Sequence, residues 1–117
     1  MAGTTSQGDQ GIAVSQEQAD FLARMPHAIF ATQRRGGSPQ LSPVWYLWDG
    51  ARIAISTRSW TAKARNARTN TDVSVCIDDP ASGMYATVHG SAAIIEGASV
   101  HLRTLPLLRK YLSLIHI

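Results

Sequence analysis

Extended and helical stretches do not alternate regularly along this chain, and that feature removes the parallel α/β folds from consideration. A run over residues 28–34 is ended by Gly36-Gly37, and a second covers 39–48. Asp49-Gly50 is a two-residue hairpin signal that returns the chain as a third run over 52–57. There Ile53 and Ile55 share one face, and Ala54 and Ser56 share the other. Residues 72–79 place Val73, Val75 and Ile77 inward, and a loop from Asp78-Asp79-Pro80 to Gly83 leads to a last run over 84–96. Gly90 interrupts that run and predicts a bulge. Five short strands with helices before, between and after them predict a mainly β fold, a small antiparallel barrel with helices at its openings.

The length, 117 residues, fits one domain, and 44% hydrophobic residues suffice for a core. Residues 1–12 are small and polar and are expected to be disordered. The domain itself is expected over 13–111. Its first helix opens on a capping box, Ser15 with Gln18, carries a modest stripe of Ala19, Leu22 and Ala23, and stops before Pro26. A final helix is expected over 98–111. The last six residues, LSLIHI, look like a translated sequencing adapter, so 112–117 are expected to be non-native and a last strand of the natural protein to be missing; the alternative is a genuine apolar end that packs on the barrel.

The net charge of +3 is too mild for nucleic acid, but its distribution is uneven. Between Asp49 and Asp72 every charged residue is basic: Arg52, Arg58, Lys63, Arg65 and Arg68. The stretch 56–70, STRSWTAKARNARTN, reads as a strand end, a turn and a helix. The first N–H groups of a helix have no internal acceptor, and the helix dipole places positive charge there, so a phosphate fits that end. Ser59 or Thr61 can cap it. Lys63, Asn66, Ala67 and Asn70 share one face, while Arg65 and Arg68 lie opposite. The plainer reading is a solvated basic face. Pro43 cannot donate to a ladder, so one side of its strand is unpaired; that is a wall for a planar ligand or an ordinary edge. Asp78-Asp79 reads as a solvated turn and His89 as structural. Cys76, the sole cysteine, excludes a disulfide frame and a cysteine metal site. Trp45 and Tyr46 point to opposite sides of a strand, so the aromatics make no platform for single-stranded nucleic acid. No run is long and apolar enough to cross a membrane and no signal peptide is visible, which points to the cytoplasm.

From about Phe21 to Gly97 the chain resembles the pyridoxamine 5′-phosphate oxidase-like split-barrel family, most closely its deazaflavin (coenzyme F-420)-dependent branch. The residues that carry the resemblance are Ala31-Thr32, PQLSPVWYLWDG, ISTRSW, KARN, DVSVCIDD and YATVHGSA, in that order. It implies an FMN-binding-type split β-barrel and a homodimer with cofactor at the subunit interface. Ser56, Thr57, Lys63 and Asn66 would hold the cofactor phosphate, with Arg58 and Trp60 beside them. Ser42, Pro43 and Val44 would line the flavin-like ring. The chain departs from the family pattern at Thr61, where many relatives carry arginine, and at Ala67 and Thr71, where leucine and proline are usual.

The function implied is F-420-dependent hydride transfer to an unsaturated small molecule. FMN is the alternative cofactor, in a pyridoxamine 5′-phosphate oxidase-like oxidoreductase. A non-catalytic flavin or haem carrier is a third reading. No catalytic residue is singled out, because hydride chemistry belongs to the cofactor.

Overall fold

Val75 and Ile77 are buried while their neighbours are less so, and across the ladder Ala86 and Val88 repeat the alternation. These pairs are the centre of the fold. The computed structural model describes residues 3–5 and 12–96. It contains strands β1 (Gly3–Thr5), β2 (Ala28–Thr32), β3 (Gln40–Val44), β4 (Tyr46–Trp48), β5 (Ile53–Ile55), β6 (Asp72–Asp79) and β7 (Met84–Ser91). Helix α1 covers Gln16–Arg24 and α2 covers Ala62–Thr69. One sheet has the order β1-β7-β6-β2-β3, and β4 and β5 form a second. All pairings are antiparallel except β1 with β7.

The two sheets separate at a single residue. Residues 39–48 do not make one strand: β3 ends at Val44, β4 begins at Tyr46, and Trp45 lies between. Val44 and Tyr46 are both buried while Trp45 is 47% exposed, so the inward face continues across the break. Helix α1 closes the gap with Phe21 and Leu22, both buried. The Tyr46 hydroxyl, itself fully buried, donates to the Leu22 carbonyl at 2.6 Å and so ties helix to strand.

The capping box forms as expected: Gln18 N–H donates to Ser15 Oγ, and the Gln18 side chain accepts from Ser15 N–H at 2.9 Å. The apolar stripe is different, since Phe21 and Leu22 carry the burial and Ala23 is exposed. The β4–β5 turn is centred one residue later than Asp49-Gly50. Asp49 N–H donates to the Arg52 carbonyl, and Asp49 Oδ1 accepts from the N–H groups of Ala51 and Arg52. Gly50 takes φ +99°, which a side chain resists.

Three expectations are corrected. Gly90 makes no bulge, because β6 and β7 pair in unbroken register from Asp72↔Ser91 to Asp79↔Met84. Strand β7 ends at Ser91, short of residue 96. Two described parts of the segment expected to be disordered are ordered: Gly3–Thr5 pairs with β7, and Ile12 is buried, its N–H donating to the Ala51 carbonyl. Two adjacent threonines suit an extended edge. The expected helix over 98–111 and the tail 112–117 lie outside the described residues.

The Asp78-Asp79 turn is held by Asp79. Its carboxylate accepts from the Ser82 hydroxyl at 2.8 Å, from Ala81 N–H, and from Arg24 at 3.3 Å. The Ser82 hydrogen bond, against an opposing effect of burial and together with Arg24, holds the Asp79 carboxyl below its ordinary value.

Candidate functional site

The start of α2 is built by hydroxyls and carbonyls. Thr61 is the N-cap: its Oγ1 accepts from Ala64 N–H at 3.3 Å, and its own hydroxyl donates to the Arg58 carbonyl at 2.9 Å. Thr57 Oγ1 lies 3.0 Å from the same hydroxyl. Ser59, the other candidate cap, instead gives its carbonyl to Arg68 at 2.7 Å. Arg65 donates to the Trp60 carbonyl. Two of the arginines therefore fold the loop over residues 57–61 rather than face a ligand, and Arg68 also pairs with Glu96 at 3.4 Å. The Arg58 guanidinium lies 5.3 Å from the centre of the Trp60 ring, a cation–π contact at the surface.

That leaves Lys63. It lies in the first turn of α2, is half-buried, and makes no ion pair among the described residues. No acidic side chain occupies that turn. A half-buried ammonium at a helix start, where the first N–H groups lack intrahelical acceptors, favours an anion. Beneath it α2 buries only Ala64 and Ala67. Asn66 points to the sheet, its Nδ2 donating to Thr32 Oγ1 at 3.2 Å and to Gln40 Oε1 at 3.0 Å. Thr32 and Gln40 are paired across β2 and β3, so one amide joins the helix to both strands.

Strand β3 is the second wall. Among the described residues it pairs only with β2, which accounts for Pro43: its missing N–H lies on an edge strand. Ser42 and Val44 face inward and Pro43 faces out, since neighbours on a strand alternate. The ring-lining trio is thus split between faces, and a ring could meet all three only along the backbone edge. Ser42 Oγ is buried with no hydrogen-bond partner among the described residues. A buried hydroxyl left unpaired is costly, and a ligand polar atom would satisfy it. Ser56 and Thr57 follow the end of β5 and are exposed.

Gln40 was not legible as a site residue. It is 26 positions from Asn66 and sits at a strand start, where glutamine gives no local signal. The available clue was the phase of β3, which puts Gln40 on the face of Ser42 and Val44.

The family model for pyridoxamine 5′-phosphate oxidase matches residues 14–113. The chain belongs to this family. No curated protein matches it in sequence. A solved F420 reductase is similar in fold, with a TM-score of 0.74 and 27% identity over 84% of this chain and 79% of that one. The conserved hypothetical protein Rv2991 from Mycobacterium tuberculosis gives a TM-score of 0.67 and 26% identity, covering 81% of this chain and 61% of that one. Protein Atu2129 of Agrobacterium tumefaciens str. C58, at 21% identity and TM-score 0.62, shares the fold; 91% of this chain and 53% of that one are covered. The two sheets and their helices are those of the split barrel, a fold whose members bind flavin-type cofactors, and the family is one of oxidoreductases. No helix among the described residues is long and apolar enough to cross a membrane.

Proposed function

We propose that this chain is a cytoplasmic oxidoreductase that binds F-420 and serves hydride transfer to an unsaturated small molecule. The observation that carries the reading is Lys63, half-buried at the capped start of α2 and without an ion pair among the described residues. Lys63 and the first-turn N–H groups would hold the cofactor phosphate. The edge of β3 and the orphan Ser42 hydroxyl would meet the ring. The cofactor supplies the hydride chemistry; the chain binds it, orients it and excludes water. Arg58 is the cation best placed to meet a longer anionic tail, because Arg65 and Arg68 are committed to carbonyls. The likeness to an F420 reductase favours F-420, and the family itself supports FMN as the second reading.

The partner is a second copy of the chain. Ile29, Leu41 and Tyr85 are 42%, 64% and 46% exposed, and the strand register places all three on the outer face of the large sheet with Pro43. A copy seated there would cover apolar surface on β3, the strand whose inner face and edge line the proposed site. Sedimentation equilibrium should give a dimer, and Leu41→Asp should shift it to monomer; a monomeric wild-type chain overturns this arrangement.

Equilibrium binding of purified protein to F-420 and, separately, to FMN tests the cofactor. Tight F-420 and weak FMN binding are expected, and the reverse order moves the assignment to FMN. Binding of neither leaves a carrier of another ligand as the better account.

A further inference from the structure

A side-chain amide has two N–H bonds to give. Those of Asn66 are directed to Thr32 Oγ1 and Gln40 Oε1, both on the sheet. What remains is Oδ1, which can only accept. A phosphate oxygen also accepts, so the two repel rather than bond. Helix α2 meanwhile offers the core nothing larger than Ala64 and Ala67. Two methyl groups bury too little surface to fix a helix in rotation or along its axis. The Asn66 amide supplies that direction: it reaches the fully buried Thr32 at the end of β2 and its ladder partner Gln40 at the start of β3. Lys63 lies three residues before Asn66 on the same face, so whatever fixes Asn66 also fixes Lys63.

We propose, on the phosphate reading given above, that Asn66 is a positioning residue and not a phosphate ligand. Thr32 and Gln40 are its anchors, and together the three set α2 so that Lys63 and the first-turn N–H groups converge on the phosphate. This reassigns Asn66 and adds two residues to the machinery of the site. It also separates two roles that the K-A-R-N segment combines: Lys63 recognises, and Asn66 registers.

The test compares a cofactor pair that differs by the phosphate alone, FMN against riboflavin. The ratio of dissociation constants within the pair measures phosphate recognition and is insensitive to general loosening of the ring site. Thr32→Val and Gln40→Leu should each reduce that ratio by about three- to tenfold, the change expected from one hydrogen bond. Thr32→Ser, which keeps the acceptor, should restore it. Gln40→Leu lies at a half-exposed strand start and keeps the test open if Thr32→Val does not fold. An unchanged ratio in both variants, with loss of the ratio in Asn66→Ala, would make Asn66 a direct ligand and overturn the proposal. Lys63→Ala distinguishes the deeper failure: if it leaves the ratio intact, the phosphate reading falls and this inference falls with it.

Discussion

Helices α1 and α2 each begin on a side-chain cap and each lie against a strand, yet they are attached in opposite ways. Helix α1 sinks Phe21 and Leu22 into the core and accepts the Tyr46 hydroxyl on its backbone. Helix α2 buries two alanines and is held by an amide network beneath it and by arginine-to-carbonyl bonds at its start. Apolar attachment is strong and insensitive to direction, because burial depends on area. Polar attachment is weaker but fixes angle and register, because hydrogen bonds are directional. A helix that seals a core needs the first. A helix proposed to present N–H groups and one ammonium to a ligand needs the second.

The contrast breaks most easily at Phe21. Phe21→Ala should cost about 3–5 kcal/mol of stability, read as a lowered urea midpoint, with phosphate discrimination kept in the folded fraction. Lost discrimination at unchanged stability would show that α1 serves the ligand too. Lys63→Ala is the converse. It should weaken cofactor binding by about 1–3 kcal/mol in a titration while leaving the urea midpoint nearly in place. Thr61→Ala should do some of each. Loss of the cap costs about 1 kcal/mol of stability and frays the N–H groups proposed to bind, so both midpoint and affinity should fall.

The smallest effect belongs to Asp79, which Arg24 at the end of α1 touches. Its carboxyl is held below the ordinary value, so the ionised form favours the fold. That contribution is complete above the unfolded-state carboxyl value and is lost as pH falls through the folded-state one. Asp79→Asn should therefore lower the urea midpoint slightly at neutral pH, and the difference should close in acid. A gap that persists in acid would mean that the turn depends on shape rather than charge.

How much could be read beforehand follows the range of each interaction. The Ser15–Gln18 box spans three residues and was legible in full. The basic stretch before and along α2 was visible as charge, but not that Arg65 and Arg68 spend their donors on the carbonyls of Trp60 and Ser59. Which of Ser59 and Thr61 caps the helix was open because both are good caps, and the structure selects Thr61. Pro43 announced an unpaired edge, and β3 has one among the described residues. The break at Trp45 carried no signal, since alternation continues through it and only the pairing partner changes. Gly90 gave a false signal: glycine permits a bulge without requiring one, and the unbroken β6–β7 register left no residue over. The Asn66 anchors were invisible because 34 and 26 residues of chain separate them from it.

Pro43 has a consequence for how this protein behaves in a crowded solution. An edge strand leaves the row of N–H and C=O groups on its outer side unpaired, a template on which another chain can stack, and long apolar edges of this kind seed aggregates. Strand β3 carries Leu41 and Pro43 in the open and would be such a template. The proline withholds one rung, so a foreign strand added there meets a gap and the ring that fills it. At β3 a single imino acid helps to keep such a strand out.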